Sequence, residues 1–234
     1  MHQGGNDIYV SAPLRRLQDA QMRVLTPELQ RCCGTYALLL GTAKDDMPPA
    51  LPMLGSWVRL YLDQTNYQGD LLAATDEPLP FGDDVFDLVL LRHALEVSPA
   101  ASALLAEAIR VLAPGGVLAL AGVHPCSGWM PWWCWRAKGQ SFRLQSPWQL
   151  QRAMQREGLE IELVQRVGRG WPGLRSLDSK AASIFGGGYV LIARKRRRLA
   201  VPRRINPAKV TVPTGGRLSP GTRRSSASQT TRSA

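Results

Sequence analysis

The sequence predicts one α/β domain, a largely parallel sheet with helices on both faces, followed by a basic tail that cannot build a core. Three observations predict it. Between residues 13 and 194, short apolar runs alternate with longer mixed segments, the pattern of strands joined by helices. Residues 86–121 hold a complete strand, helix and strand. The 234 residues, 44% hydrophobic, suffice for one such core and leave little for a second.

Residues 13–31 place Leu14, Leu17, Met22, Leu25 and Leu29 near helical spacing, interrupted by Pro27, and read as a helical lead-in. The run from Tyr36 to Gly41 is a buried strand ended by glycine. Residues 57–63 alternate apolar and polar side chains before Asp63, and residues 71–74 make a short third strand. Residues 86–91 are the clearest strand. Leu104, Leu105, Ala108, Ile109 and Leu112 then form a helical stripe, stopped by Pro114-Gly115-Gly116, a turn that needs fixed or positive backbone dihedrals. The apolar run 117–121 follows. An aromatic stretch holds Trp129, Trp132, Trp133 and Trp135. It is apolar on all sides and must cover something, as a cap, a lid or a surface for a partner or membrane. Ser146 and Pro147 suit the cap and first position of a helix ending at Gly158. Residues 159–164 and 189–193 are the last two strands. The expected divisions are a lead-in over 1–33, the α/β domain over 34–194 and a disordered tail over 195–234.

The net charge of +11 points first to a nucleic-acid partner. Twelve basic residues and no acid lie from Arg194 onward, which leaves about −1 for residues 1–193. The basic signal therefore belongs to the tail 194–234, which suits weak, salt-dependent contact with nucleic acid or an anionic surface, or plain solubility. Cys32, Cys33, Cys126 and Cys134 form no C-x-x-C pair and the three histidines are scattered, so no metal is expected and the thiols are read as reduced and mostly buried. No secretory leader or membrane-spanning run is visible, and a cytoplasmic protein is expected.

Three segments carry a family resemblance. Residues 79–87 read Leu-Pro-Phe-Gly-Asp-Asp-Val-Phe-Asp, residues 90–96 read Leu-Leu-Arg-His-Ala-Leu-Glu, and residues 110–118 read Arg-Val-Leu-Ala-Pro-Gly-Gly-Val-Leu. In this order and spacing they resemble the class I S-adenosylmethionine-dependent methyltransferases of the type 11 domain group, over roughly residues 34–194. The chain looks most like a little-characterised proteobacterial subgroup with an aromatic segment after the fifth strand and a basic end. The resemblance implies a three-layer Rossmann-like fold with a mostly parallel seven-stranded sheet, its last strand antiparallel. It implies S-adenosyl-L-methionine as cofactor and transfer of a methyl group to an acceptor it does not identify.

The resemblance also places the cofactor. Gly41 is the one glycine of the family's first motif present here; Leu39 stands where an acid is usual, and Ala43 and Asp45 where glycines are. Asp63 is the counterpart of the acid that accepts from the ribose hydroxyls, and a solvated strand-end aspartate is the equal alternative. The adenine-reading acid falls on Thr75, so either the turn shifts by one and Asp76 serves or the contact is lost. Arg92 and His93 complete the cofactor set at the end of the fourth strand. A base is needed only if the acceptor must lose a proton; His93 and His124, at the mouths of the fourth and fifth strands, are the candidates, and packing is the simpler reading of each. With its first motif degenerate, the chain has a second reading, an inactive methyltransferase-like scaffold that binds through its Trp-rich segment and basic tail.

Overall fold

The computed structural model describes residues 9, 11–63, 65–136, 142–172 and 186–197. The expected disordered tail lies outside these residues from position 198 onward, as do residues 1–8 and 10 of the expected lead-in. The chain opens with α1 (Ala12–Leu29), where Pro13 suits the first turn. The expected break at Pro27 does not occur. The helix runs through Pro27 without its bond to the Arg23 carbonyl, and Leu25 and Leu29 on either side, fully buried, hold the last turn in place.

The strands are β1 (Gly34–Gly41), β2 (Leu54–Asp63), β3 (Asn66–Gly69), β4 (Ala73–Ala74), β5 (Phe86–Arg92), β6 (Leu112–Val123), β7 (Leu159–Val167) and β8 (Gly188–Lys195). They form one sheet in the order β4-β3-β2-β1-β5-β6-β8-β7. β2, β1, β5 and β6 run parallel, β8 is antiparallel to both its neighbours, and β3 is antiparallel to β2 and β4. Among the described residues the sheet thus has eight strands rather than the expected seven. The extra one is β3, which folds back on β2 from Asp63 and buries Tyr67 in the core that holds Leu60 and Leu62. The expected strand 71–74 shortens to Ala73–Ala74, one strand further out, and Leu72 faces solvent.

Both faces of the sheet are covered. Ala37, Leu39, Leu88 and Leu90 pack with Leu25 and Leu29 of α1, whereas Leu38, Leu40, Val89 and Leu91 pack with α3 (Ala101–Val111) and α5 (Pro147–Arg156). Burial of successive residues on opposite faces is why these strands read as continuous apolar runs. One crossover departs from the expected alternation. Residues 42–53, between the parallel strands β1 and β2, form turns and no helix. Pro48, Pro49 and Pro52 account for this, since each lacks an N–H and disfavours helical geometry in the residue before it.

The motif residues 79–87 act through packing and hydrogen bonds at the amino edge of β5. Asp87 Oδ2 accepts from the backbone N–H of Thr35 at 2.7 Å and of Tyr36 at 3.3 Å, tying β5 to the start of β1. Phe81 meets Phe86 edge to face, and Leu79 is buried. Arg110 in α3 donates to the carbonyls of Leu79 and Phe81 and pairs with Glu107 and Asp83. These bonds to Arg110 lower the Glu107 carboxyl below its ordinary range. Asp84, in the left-handed region at φ 59°, pairs with Lys195. Asp87→Ala is expected to cost about 1–3 kcal/mol by urea unfolding, since two strand-end N–H groups lose a charged acceptor.

Three further details differ from or refine the sequence reading. Gly115 takes φ +87°, as its turn requires, but β6 already begins at Leu112 and pairs with β5 through an irregular register. Ser146 makes no side-chain cap bond; its carbonyl accepts from Leu150 N–H instead. The thiols are not mostly buried: only Cys32 is, while Cys33, Cys126 and Cys134 are exposed. Burial pushes the Cys32 thiol up to about 11. A thiol reagent at neutral pH is therefore expected to modify Cys33, Cys126 and Cys134 in the native protein and Cys32 only after unfolding, as read by mass spectrometry.

Candidate functional site

The strand order reverses between β1 and β5: the chain moves from β1 out to β2 on one side and from β5 to β6 on the other. A crevice opens at such a point beyond the carboxyl ends of the strands. Leu40 pairs with Leu91, so Gly41 and Arg92 stand side by side at the rim. Arg92 is 9% exposed. Its guanidinium donates to the Met47 carbonyl at 3.1 Å and faces Asp46 Oδ1 at 3.4 Å. The other Asp46 oxygen accepts from Thr42 N–H at 3.3 Å, and a Cβ at Gly41 would collide with it. Among the described residues the fully buried Thr42 hydroxyl has no hydrogen-bond partner. Two donors, a buried cation and a carboxylate therefore converge at the switch point. Only a residue without a side chain at 41 permits it.

Asp63 is exposed at the end of β2 and accepts from Gln68 Nε2 at 3.1 Å. Thr75 follows β4, and both its N–H and its hydroxyl donate to the Thr65 carbonyl, so its side chain is used by the hairpin. Asp76 is exposed beside it. Because β3 separates β2 from β4, Thr75 and Asp76 lie one strand spacing, roughly 4.8 Å, further from Asp63 than adjacent strands would place them.

His93 is only 1% exposed and takes a left-handed conformation, φ 57°, as the chain turns into α2 (Ala94–Val97). That backbone costs roughly 1–2 kcal/mol for a residue with a Cβ. A buried network holds it there. Nδ1 lies 3.1 Å from Glu96 Oε2, Nε2 lies 3.0 Å from Gln21 Oε1, and its N–H donates to the Ala121 carbonyl at 2.8 Å. Gln21 in turn donates to the carbonyls of Gly122 and Tyr189, which turns its oxygen toward the ring, so Nε2 carries a hydrogen. Glu96 also accepts from the Tyr9 hydroxyl and from Val123 N–H. Burial and the neighbouring Glu96 push the Tyr9 hydroxyl well above its usual value. Both ring nitrogens of His93 are thus engaged inside the protein.

His124 follows β6 and is half-buried. Its Nδ1 accepts from Cys126 N–H at 3.1 Å, which leaves the hydrogen on Nε2. Burial and the Arg166 charge lower it below 6.5. A depressed value in the folded state means the unfolded chain takes up this proton first, so its contribution to stability falls as pH drops below 6.5. Its NMR titration is expected to have a midpoint under that of a free imidazole. Beside His124 an open groove of about 520 Å³ is lined by Pro125, Cys126, Met130, Pro131 and Arg166. The Trp-rich segment forms α4 (Trp129–Arg136). Trp129 and Trp133 pack on Tyr9, Leu14, Leu17 and Val123, so the inner face of α4 caps the His93 network.

Residues 56–120 match the family described as methyltransferase domain. An uncharacterised methyltransferase of Synechocystis is 30% identical over 154 residues, spanning 63% of this chain and 69% of that protein. The chain belongs to the class I S-adenosylmethionine-dependent methyltransferases of the type 11 group. Solved S-adenosylmethionine-dependent methyltransferases share the fold at low identity. That of Thermotoga maritima has a TM-score of 0.56 at 16% identity, covering 81% of this chain and 94% of its own. That of Archaeoglobus fulgidus has a TM-score of 0.56 at 12% identity, covering 81% and 97%.

For this methyltransferase fold the residues at the switch point suit the amino-acid end of the cofactor. The buried Thr42 hydroxyl without a partner and the Arg92 guanidinium can donate to a carboxylate. Asp46 offers the acid that Leu39, 1% exposed in the core, cannot. Sequence reasoning named Gly41 and Arg92 but missed Asp46, which belongs to no motif and reaches the site only because residues 42–53 lack a helix. It also quoted Glu96 without its role, although a carboxylate three residues after a histidine at a helix start is a visible signal.

Proposed function

We propose that the protein binds S-adenosyl-L-methionine between the carboxyl ends of β1 and β5 and transfers its methyl group to an acceptor admitted over the groove beside His124. The observation that carries this reading is the Asp46–Arg92 pair, nearly buried at the switch point next to the unpartnered Thr42 hydroxyl. A cation and an acid so placed complement an amino-acid zwitterion, Arg92 and Thr42 holding its carboxylate and Asp46 its ammonium. Asp63 is then the acceptor for ribose hydroxyls. Asp76, exposed and not committed to the hairpin as Thr75 is, is the better placed of the two to meet the adenine amino group.

When bound, the cofactor supplies an activated methyl group, and the protein's part is position and exclusion of water. His93 acts as a positioning residue, because its ring is closed off by Gln21 and Glu96. His124 carries its hydrogen on Nε2, which has no bond among the described residues and can donate to an acceptor oxygen or nitrogen; it takes a proton only at Nδ1, in place of the bond from Cys126 N–H. The acceptor is a small molecule by this reading, and the site of action is the cytoplasm. Among the described residues, no helix is long and apolar enough to cross a membrane.

The absence of a helix after β1 favours a second reading, a scaffold that has lost the cofactor, since no helix N-terminus from residues 42–53 points into the crevice. Calorimetry with S-adenosylmethionine separates the two. The expected result is saturable heat and a raised melting temperature. No heat and no stabilisation at millimolar ligand would leave the scaffold reading.

A further inference from the structure

The three exposed tryptophans, Trp135, Trp148 and Trp171, are 64%, 57% and 51% accessible. The topology brings all three to one edge of the sheet. Trp135 lies in α4, shortly after the carboxyl end of β6. Trp171 follows the carboxyl end of β7, which runs in the same sense as β6 because both are antiparallel to β8. Trp148 sits in the first turn of α5, which packs on β7 and β8 and leads into the amino end of β7, so its own start lies at the carboxyl edge.

The outer face of α4 is apolar as well. Met130, Pro131, Cys134 and Trp135 are exposed and fall within one side of the helix, while Trp129 and Trp133 on the other side are buried. A helix apolar on both sides needs a second apolar environment. The charge along the segment that carries α4 and Trp148 has one sign. Residues 124–156 carry Arg136, Lys138, Arg143, Arg152 and Arg156 with no acidic residue, and they hold five of the seven tryptophans. The guanidinium of Arg152 lies 3.7 Å from the centre of the Trp148 ring. By contrast Asp46, Asp63 and Asp76 lie at the β1–β4 half of the same edge.

From this placement we infer that the β6–β7 half of the carboxyl edge docks on an anionic lipid bilayer, with Met130, Trp135 and Trp171 entering the interface and the arginines meeting lipid phosphates. Exposed tryptophan and methionine beside cations and away from acids is the chemistry of an interfacial anchor. Docking in this orientation turns the groove beside His124 toward the lipid. The consequence that the acceptor is an amphiphile drawn from the membrane rests on the methyltransferase reading; the docking itself does not.

The full chain is floated with phosphatidylcholine vesicles, with and without phosphatidylglycerol. Binding is expected only with phosphatidylglycerol, with a blue-shifted tryptophan emission that is quenched by lipids brominated on their chains. Met130→Ser with Trp135→Ser, both at exposed positions, is expected to weaken binding at least about tenfold, since two apolar side chains no longer leave water. Unchanged binding by the double variant, or emission that brominated lipid does not quench, overturns the proposal and assigns attachment to the basic tail alone. No flotation, or preference for RNA over vesicles, overturns it too. Cofactor binding measured without vesicles tests the methyltransferase reading separately.

Discussion

Glu96→Ala is expected to lower the unfolding free energy by about 3–5 kcal/mol, because it removes one partner of a buried ionisable pair and leaves the others without compensation. Glu96 is 1% exposed and meets three groups: His93 Nδ1, the Tyr9 hydroxyl and Val123 N–H. These come from the N-terminal segment, the end of β5 and the end of β6, so the loss is not local. His93 would keep its left-handed backbone with one fewer bond to hold it, and Tyr9 would keep a buried hydroxyl with no acceptor. Glu96→Gln retains an acceptor for Val123 and is expected to cost less. Urea unfolding of both variants is the measurement. A loss under about 1 kcal/mol for Glu96→Ala, the net worth of one ordinary hydrogen bond, would show that water replaces the carboxylate.

Arg92→Ala is expected to weaken S-adenosylmethionine binding by about 10- to 100-fold, the effect of losing charge-assisted hydrogen bonds of roughly 1.5–3 kcal/mol. The substitution also strands Asp46, whose side chain is 11% exposed, so a carboxylate that neutralises the amino-acid end of the ligand would become a repulsive one. Arg92→Lys retains the charge without the planar fork and is expected to recover part of the affinity. Calorimetry gives the affinity, and the melting temperature without ligand shows whether the fold is intact. If the alanine variant folds and binds as tightly as the wild type, the amino-acid end lies elsewhere.

The sequence shows its fold where local chemistry repeats what the tertiary structure requires. The runs at residues 37–40 in β1, 88–91 in β5 and 117–121 in β6 are apolar at every position because both faces of the sheet are covered, and a continuous run of that length says so directly. The residues 79–87 and 110–118 are legible for the same reason. Asp87, Glu107, Arg110 and Gly115 satisfy backbone groups and dihedrals at fixed offsets, so their spacing carries the information. Gly41 is legible as a place where no Cβ fits. The burial of Asp46 against it is not, because nothing in residues 42–53 states which way a helix-free loop folds.

What the tertiary structure decides is which distant groups meet. β3 enters the sheet with Tyr67 buried in the core that holds Leu60 and Leu62, and the strand at 71–74 is cut to Ala73–Ala74, an arrangement of two segments that no periodicity contains. Glu96 finds Tyr9 across 87 positions, and Gln21 finds His93 across 72. The sequence alone determined the α/β class and the basic charge of residues 194–234, since these depend on composition and period, and residues 79–96 and 110–118 carry the family resemblance that the relatives bear out. The interior site around His93, the Asp46–Arg92 pair and the tryptophan-lined edge were settled only by folding, because burial of a polar group depends on partners brought from elsewhere in the chain.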